Sequence, residues 1–224
     1  MVSRIWAAYV DALIAARKRV DDRPDDLVTR LMTTEVDGQR LSDVEVRTQL
    51  VFLIVSGNET TRHLISNLLA TLATRPDVFA ALKADRSLVE RAVEESLRYQ
   101  PPIHLLLRNV MEQTDVFGRN MCPGEKIVFG IASANRDEHV YEHADEFRLD
   151  RARLPDDHLS FGAGPHLCLG NHLTRLIGRV VLEEMLAVFG AGSLAFAEGY
   201  ERCLVPMFLE YGPETLDVEI VPPS

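Results

Sequence analysis

The stretch from Ser42 to Pro76 limits the architecture of this chain more than any other. Ser42 and Glu45 stand three apart, the spacing of a capping box that opens a helix, and no proline follows until Pro76. The apolar residues between them predict one helix of about 30 residues, ~45 Å long at ~1.5 Å per residue, enough to cross a whole domain. Every other element must then pack around it. In its middle, Ser56-Gly57-Asn58-Glu59-Thr60-Thr61 puts small and polar groups where a buried helix carries leucine or alanine. Local rules fail most often at functional sites. Ser56 and Gly57 leave room for a ligand against the backbone, and a threonine hydroxyl beside a carboxylate, Thr60 beside Glu59, can organise a proton relay. The same residues also suit a plain core helix in which a threonine bonds back to the preceding turn.

A second stretch carries chemistry of its own. Phe161 to Gly170 reads Phe-Gly-Ala-Gly-Pro-His-Leu-Cys-Leu-Gly and runs into a helical pattern from Asn171 to Phe189. Cys168 therefore sits where loop becomes helix, and there backbone N–H groups and the positive end of the helix dipole favour a thiolate, which can ligate a metal. Gly162, Gly164 and Gly170 allow the backbone to lie close against something flat. His166 can donate a hydrogen bond or partner an anion. Two plainer readings compete: a buried structural cysteine, and a zinc site of His158, His166, Cys168 and His172. The zinc reading is the weaker, because structural zinc sites favour closely paired cysteines.

Phe-Gly-x-Gly-x-His-x-Cys-x-Gly resembles the haem-binding loop of the cytochrome P450 family at each defined position. The resemblance implies that Cys168 is the proximal thiolate of haem iron, pushing electron density onto the metal to favour O–O cleavage, with Phe161, Gly162 and Gly164 against the haem b. The polar break resembles the oxygen-activating kink of the family's distal helix, Ala/Gly-Gly-x-Asp/Glu-Thr. On that pattern Gly57 lies against the cofactor, Thr60 holds dioxygen and its protons, and Glu59 is the acid member. Ser56 replaces the usual Ala or Gly and narrows the space over the iron. Glu95-Ser-Leu-Arg98 alone is only a surface pair, with Glu94 to Arg98 competing. In family order it implies a buried triad completed by Arg151 at the end of Asp145-Glu-Phe-Arg-Leu-Asp-Arg151, in which Arg148 departs from the usual Asp. The apolar strand from Ile103 to Arg108 would line the substrate pocket through Ile103, Leu105 and Leu106, together with Ser56. Arg108 and His166 would pair with the haem propionates.

The remaining segments offer packing more than chemistry. Ile5, Trp6, Tyr9, Val10, Leu13 and Ile14 predict an amphipathic helix ending before Asp21, and Pro24 suits the first turn of a helix from about Asp25 to Thr34. Val36 to Leu41 reads as a hairpin around Asp37-Gly38. A short helix from Pro76 to Lys83 precedes a second capping box, Ser87 with Glu90, and a helix to about Tyr99 that Pro101-Pro102 stop. Strands are expected from Val116 to Ile131 around Pro123-Gly124. Asn135-Arg136-Asp137 resembles a family segment at the start of a short helix and has a structural role. After Cys168, Leu173, Leu176, Ile177, Val180, Val181 and Leu186 form a core face. His172, Arg175 and Arg179 form a basic one, open to an acidic electron donor or simply solvated. Leu204 to Tyr211 and Leu216 to Val221, split by Gly212-Pro213, predict a hairpin that in the family closes the pocket.

The chain has 224 residues, 46% of them hydrophobic, which suits one globular unit. A net charge of -10 argues against nucleic acid. Three widely spaced cysteines suit a reducing, cytoplasmic setting, and the most apolar runs, Leu50 to Val55 and Leu64 to Leu72, are too short for a membrane anchor. The expected class is mainly α with small β-sheets, a partial P450 fold: residues 1–224 as a single unit resembling the C-terminal, haem-thiolate half of a bacterial-type member, without the N-terminal half. The resemblance implies a monooxygenase that inserts one oxygen atom of O2 into a hydrophobic small molecule, with electrons from NAD(P)H through a ferredoxin-type donor. The alternative is a remnant or subunit that binds haem or a partner without catalysis. Such a chain is expected to hold haem weakly alone and to self-associate or seek a complementary N-terminal half. A non-enzymatic helical interaction module would leave the thiolate loop, the polar break and the Glu/Arg pair unexplained.

Overall fold

The computed structural model describes residues 2–151, 158–190 and 193–220. The chain divides into two compact units, Met1–Glu59 and Thr60–Ser224. The long predicted helix is α3, Asp43–Thr74, 32 residues, which contributes to both. Helical structure is continuous through residues 56–61, so the polar break interrupts the apolar pattern and not the helix. Among the described residues no helix is long and apolar enough to cross a membrane.

The first unit holds α1 (Val2–Lys18), α2 (Leu27–Thr33), the two-residue strands β1 (Glu35–Val36) and β2 (Gln39–Arg40), and the start of α3. Asp26 caps α2 by accepting from the Thr29 N–H at 2.9 Å, so the helix begins at Leu27 and Pro24 stands ahead of the cap instead of inside the first turn. β1 and β2 pair antiparallel across Asp37 and Gly38, both at positive φ as a tight hairpin turn requires. At the head of α3, Ser42 N–H and Oγ both donate to Glu45 Oε2, at 2.8 and 2.7 Å. Val10, Ile14, Val46 and Leu50 are buried together as this unit's core, with Val28, Leu31 and Met32 packed on them.

The second unit continues α3 and adds α4 (Pro76–Ala84), α5 (Val89–Tyr99), β3 (Leu105–Asn109), β4 (Thr114–Val116), β5 (Arg119–Met121), β6 (Lys126–Gly130), α6 (Ile131–Ala134), α7 (Asn171–Val188), β7 (Leu194–Phe196) and β8 (Val218–Ile220). β3 pairs with β6, β4 with β5 and β7 with β8, all antiparallel. Leu64, Leu68 and Leu72 of α3 share one core with Phe79 and Leu82 of α4, Val93 and Leu97 of α5, and Leu182 and Leu186 of α7. Gly178 sets how closely these helices approach. A Cβ there would lie 3.1 Å from Val93 Cγ1 and 3.4 Å from Leu64 Cδ2, so α7 rests backbone-first on α5 and α3. Lys83 Nζ and Arg86 Nη2 each donate to Leu186 O at 2.8 Å, placing positive charge at the carbonyl end of α7.

Four local expectations are corrected. The Ser87/Glu90 capping box does not form: Asp85 accepts from Ser87 N–H and Oγ at 2.9 and 2.6 Å, capping a 3-10 turn at Arg86–Leu88 that leads into α5. Ile131 opens α6 and does not end a strand, and Asn135 closes that helix instead of starting one. Leu204 to Tyr211 is not a strand. It makes only isolated bridges, Leu204 to Pro213 and Ile103 to Glu210, while β8 pairs with β7; Val221 lies outside the described residues. The 202–213 segment is instead pinned by side chains. Asn67 of α3 donates to Gln100 O at 3.1 Å and Tyr211 O at 3.2 Å and accepts from Arg202 at 2.9 Å, and Tyr211 stacks on His104 at 4.1 Å.

Candidate functional site

Cys168 is exposed, three residues ahead of α7, on a loop folded back on itself. Its N–H donates to Phe161 O at 2.9 Å, and its own carbonyl accepts from Asn171 Nδ2 at 2.6 Å. The 3-10 turn Gly164–His166 lies between, with Gly162 and Gly164 at φ of 71° and 73°, a region closed to most side chains. The exposure of the thiol rules out the buried structural cysteine.

Two buried ionic clusters hold the elements behind this loop. In the first, Arg98 and Glu95 of α5, both 0% exposed, pair through two bonds of 2.8 Å. Arg98 also donates to the carbonyls of Asn135, Ala144 and Glu146. Arg151 reaches Glu95 Oε1 at 2.9 Å and the carbonyls of Glu142, His143 and Glu146. The structure thus brings Glu95, Arg98 and Arg151 together and wraps the 135–151 segment around them. Arg148 contributes only its backbone N–H to Glu95, at 2.8 Å, while its side chain pairs with Asp150 at the surface. An arginine is tolerated there because the triad does not use that side chain.

The second cluster is one the sequence reading missed. Glu94 does not form a surface pair with Arg98. It is 5% exposed and accepts from Arg175 at 2.6 and 3.1 Å and from His158 Nε2 at 2.8 Å. Ser160 N–H donates to His158 Nδ1, which leaves the ring proton on Nε2, facing Glu94. Burial alone pushes the Glu94 carboxyl up, but the hydrogen bonds from His158 and Arg175 and the arginine's charge together bring it below its ordinary value. His158 is therefore spent on a carboxylate. Among the described residues no group of three His, Cys, Asp or Glu side chains includes Cys168, which removes the zinc reading. The basic face of α7 is also less free than expected, since Arg175 is held by Glu94 and Arg179 lies 3.4 Å from Glu90. A usable signal was the i, i+4 pair Asn171 and Arg175 directly after the cysteine loop.

Asn135 links the two clusters to the loop, its side chain donating to Ser160 Oγ and accepting from Leu159 N–H while its carbonyl takes Arg98. Arg108 is exposed on β3, where it donates to Leu107 O at 2.9 Å and has no carboxylate partner among the described residues. His166 is exposed in the loop, and Ile103, Leu105 and Leu106 are half-buried. Ser56 and Gly57 are exposed and Glu59 half-buried in the first unit, and Thr60, half-buried, begins the second. A Cβ on Gly57 would meet nothing within 4 Å.

These features fit haem. Leu167 and Leu169, on either side of Cys168 in the chain, are 53% and 82% exposed, and a Cβ on Gly164 would point into open space. A flat, apolar macrocycle suits such a surface.

Comparison with known proteins agrees. Residues 5–192 match the profile of the Cytochrome P450 family. The chain is 38% identical over 218 residues to a steroid C26-monooxygenase of Mycolicibacterium smegmatis, covering 97% of this chain and 53% of that protein. It is 38% identical over 183 residues to an erythromycin C-12 hydroxylase of Saccharopolyspora erythraea, covering 82% and 46%. The structure of CYP109E1 from Bacillus megaterium in complex with testosterone superposes with a TM-score of 0.88 at 29% identity, over 97% of this chain and 59% of that one. The chain thus spans about half the length of the curated relatives it matches. From the cysteine loop, the helix-rich fold with small sheets and these likenesses together, the chain belongs to the cytochrome P450 family.

Proposed function

We propose that this chain carries the haem-thiolate region of a cytoplasmic monooxygenase that inserts one oxygen atom of O2 into a hydrophobic small molecule. The observation that supports it most is the exposed Cys168 thiol at the head of α7, on a loop backed by buried ionic clusters. Haem bound at Cys168 would supply a redox-active iron for dioxygen reduction, with the thiolate favouring O–O cleavage. Cys168 is the metal ligand. Phe161, Gly162 and Gly164 offer ring and backbone to the flat face, Gly57 leaves space, and Arg108 and His166 are cations or donors for its carboxylates. Thr60 holds and passes protons, with Glu59 as the acid member. Ser56, Ile103, Leu105 and Leu106 contact an apolar substrate, in keeping with a relative named for steroid oxidation. Electrons come from NAD(P)H through a ferredoxin-type donor. Glu95, Arg98 and Arg151 keep the loop's supports in place.

The test is the reduced carbon monoxide complex of the haem-loaded chain. A red-shifted Soret band, lost in Cys168→His, is expected. Unchanged haem binding and an unchanged band in that variant would remove Cys168 as the ligand.

A further inference from the structure

We infer that Arg175 is a positioning residue for Cys168, holding both backbone groups of the cysteine through one guanidinium, an inference that rests on Cys168 being the ligand. One route runs through the carbonyl. Arg175 Nη1 donates to Asn171 Oδ1 at 3.0 Å, and Asn171 Nδ2 donates to Cys168 O at 2.6 Å. The other runs through the amide: the guanidinium lies 4.5 Å from the centre of the Phe161 ring, and Phe161 O accepts from Cys168 N–H at 2.9 Å. A cation over an aromatic face attracts it, so the ring's place depends on the arginine's. His158 lies 5.8 Å from that ring, between the loop and Glu94.

Glu94 fixes the guanidinium in turn. Its two oxygens take Nε and Nη2 at 2.6 and 3.1 Å, which leaves Nη1 for Asn171 and sets the plane that faces Phe161. A planar fork serves a carboxylate, an amide and a ring at once from fixed positions; an ammonium, a compact point charge on a flexible stem, cannot span all three. Arg175 also lines a cleft of about 500 Å³ with Glu90, Arg91, Val93 and Leu176, so a lysine there would displace no core. In this arrangement α5 dictates through Glu94 where the backbone of Cys168 stands, in the loop ahead of α7.

The experiment uses the full chain with Arg175→Lys, and Asn171→Ala as a second variant that leaves the Glu94 pair intact. Hydrogen–deuterium exchange is read for residues 161–170 and, as an internal reference, for residues 89–99 of α5. Exchange across 161–170 should rise about tenfold or more in Arg175→Lys, the scale of losing hydrogen bonds to a charged group. The α5 segment should stay within about twofold of the parent on the same scale. In haem-loaded protein the fraction showing the thiolate band should fall as well. An equal rise in both segments would make Arg175 a general stabiliser, and no rise in 161–170 in either variant would show that the loop stands without it; each overturns the inference. Exchange requires no haem, so if Cys168→His retains haem the ligand reading fails while the positioning result is still decided.

Discussion

Removing Arg98 is the severest single test of how this fold holds its cysteine loop. The guanidinium is wholly buried and makes two bonds to Glu95 and three to carbonyls of the 135–146 segment. Arg98→Ala strands a carboxylate with 0% exposure, left with Arg151 and one backbone N–H, and unpairs the carbonyls of Asn135 and Ala144, while that of Glu146 keeps Arg151. Breaking a buried ion pair from one side costs ~3 to 5 kcal/mol. Against a typical ~5 to 15 kcal/mol for a whole domain that is a large share. At roughly 2 to 4 °C per kcal/mol for a chain of this size, the midpoint should fall by about 6 to 20 °C. Arg98→Lys should recover only part of the loss, since a single ammonium cannot serve five acceptors. Thermal melts followed by circular dichroism, with exposed Arg108→Ala as a control, measure it. A shift below about 2 °C for Arg98→Ala would mean that the buried pair contributes under ~1 kcal/mol and that the reasoning is wrong.

Other consequences are open to measurement. If the proposed activity holds, Thr60→Ala should leave haem binding intact and lower the yield of oxidised substrate per NAD(P)H consumed; equal coupling would take Thr60 out of the chemistry. Because the folded-state value of Glu94 lies below its unfolded value, its contribution is fully present above the ordinary carboxylate range and is lost as pH falls through the folded-state value. Urea titrations should therefore show a weaker dependence of stability on acid pH in Glu94→Gln than in the parent, and identical slopes would contradict the buried pairing. Gly178→Ala should destabilise by ~1 to 3 kcal/mol, because its Cβ meets Val93 at 3.1 Å; the same change should cost less when made in a Val93→Ala background.

What could be read from the chain beforehand follows a physical division. Local signals were sufficient for α3, whose capping box and distant proline mark both ends, and for the Asp37-Gly38 hairpin, because each depends on residues a few positions apart. Competition between neighbours was harder to see: Asp85 takes the Ser87 N–H that a Ser87/Glu90 box would have used. Side-chain partners from distant segments were the least legible. Glu94 and Arg175 are 81 positions apart and only folding shows that they meet, whereas Glu95, Arg98 and Arg151 could be grouped through family order. The tail misled because its nearly continuous apolar run suits a strand, yet the segment is tied down by Asn67, Arg202 and the Tyr211 ring.

The single amide of Asn67 also bears on the order in which the molecule assembles. It joins α3 to Tyr211 across 144 positions and to Arg202 across 135, but to Gln100 across only 33. Contacts so far apart along the chain must meet their loop-closure entropy before they return any binding energy, so they form late. Helices α3, α4 and α5 can therefore associate early through near neighbours, with the 202–213 segment docking last. On unfolding the order should reverse: the tail leaves first, uncovering the Asn67 side chain while the helical core behind it is still intact.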